Sequence, residues 1–140
     1  LINRRIQNNY SSDRVKFMGY VLYEKLQVFP ELHASFFSVT KEELTKFHYA
    51  KGDMEGLVNV PLQIKGHKLS ISLREDTEKP LIRVSTRSVD DFPCNELCEQ
   101  FFNGGGHQNA SGGSLECSMD EAIEITKKAL EAWSDRLKDE

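Results

Sequence analysis

Apolar positions recur along this chain with two different periods, and the switches between them mark out its elements. From Ser11 or Ser12, either of which can cap a helix, Val15, Met18, Val21, Leu22 and Leu26 follow the helical period until Pro30 stops it. Residues 31–40 (ELHASFFSVT) are short, β-prone and apolar on both faces. They predict a central strand covered on both sides, with His33 inside it as a core histidine. Thr40 and Glu43 form a capping box for a short helix that HYAKGD breaks, and Asp53 is placed to cap another through MEGLVNV. Pro61 cannot donate a ladder hydrogen bond, so a helix ending near Val60 fits better than a central strand.

Strict alternation then takes over. Leu69, Ile71 and Leu73 share one face of residues 68–75, opposite Lys68, Ser70, Ser72 and Arg74. In residues 81–88, Ile82, Val84 and Thr86 oppose Arg83, Ser85 and Arg87, and DTEKP between the two runs supplies a turn, which predicts an antiparallel hairpin. The helical period returns in residues 93–102, with Pro93 in the first turn and Cys94, Leu97, Cys98, Phe101 and Phe102 on the apolar side. Asn103 and Gly104 end that helix, SGGSLECS makes a turn or brief strand, and Ser118 with Glu121 caps a last helix. The stripe of that helix is Ala122, Thr126, Ala129, Leu130, Trp133 and Leu137, which makes Trp133 a core or interface residue. The order α-β-α-α-β-β-α-β-α predicts a single α/β domain with a mixed β-sheet flanked by helices.

Composition narrows the function. A chain of 140 residues with 39% apolar and 29% charged residues buries a modest core, and its net charge of −4 gives no basic field for a long nucleic acid. An anionic ligand must therefore be held locally. No apolar run suits a membrane span or a leader, so the chain is expected to be cytoplasmic and off the membrane. The opening LINRRIQNNY, without an initiator Met, reads as the continuation of something longer, so a partner domain is expected. Cys94, Cys98 and Cys117 are odd in number and read as small buried hydrophobes; Cys94 and Cys98 with His107 lack a fourth ligand and the knuckle spacing of a structural metal site.

Two stretches carry candidate chemistry. In GGGH, Gly104 can be a left-handed helix cap with Gly105 and Gly106 as slack. Alternatively the glycines let successive N–H groups converge into an anion nest, with His107 placed to donate to the same phosphate. In STRS, Arg87 with Ser85 and Ser88 can grip a phosphate through guanidinium and hydroxyls, or can be a solvated arginine paired to a carboxylate across the hairpin. His48 and His67 fall in loops without recognisable partner spacing. Two weak anion sites in one chain say more than either alone.

GGGHQNASGG (104–113), STRS (85–88) and DMEGLVNVPLQIKG (53–66), in this order and spacing, resemble the DHHA1 domain, the C-terminal substrate-binding half of DHH-family phosphoesterases, most nearly its nanoRNase type. The resemblance spans about residues 30–135 and implies residues 1–29 as an N-terminal helix and interdomain connection, with 30–140 as the DHHA1-like domain. It further implies an N-terminal DHH domain that holds two Mn2+ ions, with short RNA or 3′-phosphoadenosine 5′-phosphate (pAp) as substrate. Gly104, Gly105, Gly106 and His107 would line the cleft, while Arg87 and Ser88, supported by Ser85, would bind the phosphate. His107 would at most assist the reaction, because nothing in this chain supplies a two-metal site; alone, the chain is expected to be inactive. Where the family often has Ala-Ala-Gly, this chain has Ala110-Ser111-Gly112. A nucleic-acid-binding module, a cyclic-dinucleotide phosphodiesterase and a single-strand exonuclease are the alternatives the same domain implies, and a homodimer is left open.

Overall fold

The structure is a computed structural model that describes residues 11–48, 54 and 56–138. Helix α1 (Ser12–Tyr20) starts as expected at Ser11, whose side chain accepts from the Arg14 N–H. It widens into a π turn (Val21–Lys25), closed by the Leu26 N–H on the Val21 carbonyl at 2.9 Å. The chain then leaves helical geometry before Pro30: β1 (Gln27–Phe29) pairs antiparallel with β2 (Ala34–Val39). The expected run of helix up to Pro30 is thus three residues of edge strand at its end, since Val28 and Phe29 prefer a pleated surface that β2 provides.

A second correction concerns His33. It lies outside β2, left-handed at φ 52°, where it ends the 3-10 turn Pro30–Leu32. Every residue of β2 itself is buried, with Phe36 turned to one layer and Phe37 and Val39 to the other, as the two-sided apolar pattern requires. Helix α2 (Lys41–Lys46) follows with the Thr40–Glu43 capping box complete. The Asp53 cap lies outside the described residues. The next helix is a 3-10 segment, Leu57–Gln63, that takes Pro61 inside rather than stopping at Val60, and it begins from Gly56 at φ 83°.

The predicted hairpin is present: β3 (Leu69–Glu75) and β4 (Ile82–Ser88) pair antiparallel in register from Leu69↔Ser88 to Glu75↔Ile82. After α3 (Cys94–Phe101) the glycine run becomes β5 (Gly105–His107), an edge strand against β6 (Ala110–Leu115). Helices α4 (Met119–Ala132) and α5 (Ser134–Lys138) close the chain. The sheet order is β1-β2-β3-β4-β6-β5, and only β2 with β3 run parallel, so the expected mixed sheet in one α/β domain is observed.

Helices cover both faces unequally. Ala34, Phe36, Leu69, Ile71, Leu73, Val84, Leu97, Phe102, Ala129 and Leu130 form the larger core under α3, α4 and α5. On the other face, Phe17, Val21, Phe37, Val39, Leu44 and Leu57 form a smaller one beneath α1, α2 and the 3-10 segment. Truncating Phe37 to Ala would remove roughly 3–5 kcal/mol from it. That smaller core centres on β2, so toward β5 the same face of the sheet is polar.

Candidate functional site

One line of residues crosses the whole sheet. Val28, Ser35, Ser70, Arg87, Ala110 and His107 are register partners from β1 to β5. Directly paired residues on neighbouring strands share a face. Arg87 and His107 therefore stand on the same side of the sheet, separated only by Ala110, with backbones about 10 Å apart across two strand spacings. One pleat along, Ser72, Ser85, Gly112 and Gly105 form the next line, which brings half-buried Ser85 to the same face.

Arg87 is half-buried and unmatched. One of its N–H groups donates to the Thr86 carbonyl at 2.8 Å, and no carboxylate pairs with it among the described residues. Arg83, on the same strand and face, instead donates to Asp76 at 3.2 Å. The carboxylate of Asp76 also accepts from the Lys79 and Glu78 N–H groups, which with Arg83 hold its pKa down at about 2. Of the two readings open for a strand-face arginine, pairing describes Arg83 and leaves Arg87 with unused donors.

The glycines divide by what surrounds them. A Cβ on Gly104 would fall 1.9 Å from the Gly112 carbonyl oxygen, and one on Gly113 would fall 2.1 Å from that of Phe102. Both positions are bare so that the end of α3 can lie against β6. The Gly104 N–H is already given to the Cys98 carbonyl at 3.2 Å, and the left-handed residue at this helix end is Asn103, at φ 52°, rather than Gly104. The run is not slack: Gly104 packs, Gly105 and Gly106 continue into β5, and among the three only Gly106 takes a positive φ, 147°. At Gly105 a Cβ would meet the Glu99 carboxylate at 3.5 Å, an ordinary contact, so packing does not require glycine there. Among the described residues β5 is the last strand of the sheet, with one edge of N–H and C=O groups facing no neighbouring strand.

Ser88 does not join Arg87. Alternation turns it to the opposite, buried face, where its hydroxyl donates to the Phe92 carbonyl at 2.7 Å and accepts from Asn109 Nδ2 at 2.9 Å. His67, read from sequence as a loop residue without a partner, is 6% exposed, with Nε2 2.8 Å from Ser35 Oγ. Burial, and then the neighbouring His33, push its pKa below the usual value. Cys98 lies buried against Thr86 Oγ1 at 3.1 Å, and burial raises its thiol pKa to about 11, so it remains protonated. No three His, Cys, Asp or Glu side chains among the described residues gather as a metal site would need. A cleft of about 380 Å3, lined in part by Phe29, Leu32, Lys127 and Leu130, lies at the β1 edge and holds none of the residues singled out by sequence.

Sequence reasoning missed Gln108, Asn109 and Asp90, which tie the β5–β6 turn to the loop after β4. Only the turn-forming character of Asn109 hinted at them.

A mixed sheet covered unequally by helices on its two faces, with Arg87 and exposed His107 aligned on the less covered one, defines an α/β domain. The chain belongs to the DHHA1 domain family, whose model matches residues 31–135. It is similar, at 49% identity and TM-score 0.91 over 99% of its length, to an exopolyphosphatase-related protein from Bacteroides fragilis. It also shares its fold with the pGpG-specific phosphodiesterase of Vibrio cholerae, at 17% identity and TM-score 0.64 over 94% of the chain. The chain spans 40% of the first of these proteins and 42% of the second. A search of the curated proteins returned no match. None of the helices among the described residues is long and apolar enough to cross a membrane.

Proposed function

We propose that this chain is the substrate-gripping half of a Mn2+-dependent DHH-family phosphoesterase that acts on short oligoribonucleotides, pAp, or both. The carrying observation is the alignment of Arg87, free of any carboxylate among the described residues, with His107 on one face of the sheet. A guanidinium with unused donors can take a phosphate in a forked grip, and His107 can donate a further hydrogen bond from the neighbouring edge. The bare backbone at Gly105 and the small side chain of Ala110 let the ligand lie close to the sheet between them. Ser85 supports from the next line, while Ser88 acts from beneath as a structural hydroxyl.

The grip is pocket-sized and the chain is acidic, which suits one or two phosphates better than a long polymer. The chemistry itself belongs to the DHH domain expected to precede residues 1–29; bound there, manganese would supply an activated water and charge neutralisation. The proposal for this chain is binding and orientation of the phosphate. That the Vibrio protein acts on pGpG, another short phosphorylated ligand, is consistent with this size.

Calorimetric titration of the 140-residue chain with pAp, a three-nucleotide RNA, tRNA and inorganic polyphosphate tests the reading. Binding of pAp or the short RNA is expected. Binding of tRNA alone would make the chain a nucleic-acid-binding module, and binding of polyphosphate alone would follow the name of the Bacteroides relative instead. In the longer protein with Mn2+, release of phosphate or mononucleotide should fall at least about tenfold with His107→Ala, the loss typical of a removed positioned donor.

A further inference from the structure

The turn that presents His107 is held only in part by its own hairpin, where the Ser111 hydroxyl donates to the His107 carbonyl at 2.6 Å. His107 and Ala110 flank a two-residue loop, Gln108–Asn109, and neither loop residue takes the positive φ that the turns favoured in such hairpins require. The loop is tied from outside. Asn109 Nδ2 donates to Ser88 Oγ at 2.9 Å and to the Asp90 carbonyl at 3.2 Å, with the Phe92 carbonyl at 3.4 Å. Gln108 Nε2 also donates to the Asp90 carbonyl, at 3.2 Å. Asp90 is left-handed at φ 55°, an uncommon setting for a residue with a side chain, and its carbonyl receives both amides.

Backbone bonds complete the tie. The Ser88 N–H donates to the Asn109 carbonyl at 3.1 Å, and the Cys94 N–H donates to the Gln108 carbonyl at 2.9 Å. The second bond satisfies a donor at the start of α3, a helix without a side-chain cap. The hairpin, the end of β4 and the first turn of α3 are thereby one hydrogen-bonded unit. Arg87 on β4 and His107 at the end of β5 both adjoin this unit, on either side of Ala110.

We infer that Asn109 is a positioning residue for His107, acting through Ser88 and the Asp90 carbonyl to keep the imidazole in line with Arg87. This rests on the reading of Arg87 and His107 as an anion-binding pair. The amide of Asn109 is suited to the task because its two N–H groups are within reach of two carbonyls and a hydroxyl, while a carboxylate in its place would face oxygens alone.

The test is a double-mutant cycle on the 140-residue chain, read by pAp affinity. Asn109→Ala should weaken binding about fivefold to tenfold, as loss of a hydrogen-bonded clamp would. In the His107→Ala background the same change should add less than about twofold, because there is no imidazole left to position. Asn109→Ser, which keeps a donor, should recover part of the loss and serves for the cycle if Asn109→Ala does not fold. Equal losses in both backgrounds would overturn the inference, showing a structural effect blind to His107. If the wild-type chain binds no pAp, the anion reading fails separately. The clamp is then decided by nuclear Overhauser contacts between the His107 ring and the Ala110 methyl: their loss in the Asn109 variants supports it, and their retention overturns it.

Discussion

Arg83 and Arg87 occupy the same strand and the same face, one pleat apart from Ser85 on either side, and the fold treats them oppositely. At the Arg83 end, side chains and backbone close on one another: Asp76 accepts from two N–H groups of its own turn and from the guanidinium. At the Arg87 end the neighbours across the sheet are Ala110 and then exposed His107, with bare Gly105 one line away. Identical residue type and secondary structure thus give a self-satisfied turn at one end and unused donors at the other. The difference lies in what the adjacent strands bring, and it is why the proposed site is set at the β5 side of the sheet.

The largest effects should come from the glycines that build this open end. Gly104→Ala would drive a Cβ into the Gly112 carbonyl, so a loss of about 3 kcal/mol or more, read by urea unfolding, is expected. Gly105→Ala meets only ordinary contacts and should leave stability within about 0.5 kcal/mol. If the ligand lies on this backbone, the same Gly105→Ala change weakens pAp binding severalfold. Unchanged binding would move the ligand away from β5 and leave the bare residue unexplained.

Next in size is the arginine pair itself. Arg87→Ala should weaken pAp binding roughly tenfold to a hundredfold, the worth of a hydrogen bond to a charged group. Arg83→Ala should change affinity less than about twofold, since an exposed ion pair is worth little and faces its own turn. Comparable losses from both would mean that the face acts only as a diffuse charge, and the contrast between the two ends would vanish.

How much of this contrast was legible beforehand depends on the range of the interaction concerned. The β3–β4 hairpin and the capping box at Thr40 are local, set by alternation and by spacings of three residues, and both were readable. Their motifs name Arg87 and His107 as candidates, and the register sets the two on one face. The edge strands β1 and β5 were not, because each is only three residues long and exists by virtue of a partner already in place. Ser88 illustrates the same limit at the site: its motif put it beside Arg87, while the pleat sends its hydroxyl to the other face. The two histidines exchanged places for a related reason. A left-handed turn expels His33 from the strand, and the line of Ser35 across the sheet gives His67 a buried partner.

Protonation separates the two ends further. His67, beneath the Arg87 end, is held below its usual pKa near 6.5, first by burial and then by His33. Between its native and unfolded values the unfolded chain binds a proton that the native chain does not, so stability rises with pH in that window. Its contribution is fully present above about pH 6.5 and is lost as pH falls below that. Melting temperatures followed from pH 8 to 5 should show this decline, and His67→Gln should flatten it. A decline of the same slope in the variant would remove His67 as its source.

The smallest and most acid effect belongs to the Arg83 end. Asp76 has a native pKa near 2 against an ordinary 3.8, and its first causes are the Lys79 and Glu78 N–H groups, ahead of Arg83. A depressed carboxylate stabilises the fold above its unfolded value, and that contribution fades as pH falls from about 4 toward 2. Because Asp76 lies in a surface turn, half-buried, the change in melting temperature should be slight, and the sharper measurement is direct titration of its carboxyl carbon by NMR. In Arg83→Ala the midpoint should remain well below 3.8, since the two backbone donors persist. A return to the ordinary value would make Arg83 the principal holder of Asp76. The turn would then depend on the arginine, as a ligand is argued to depend on Arg87, and the distinction between the two ends would narrow to the identity of the anion.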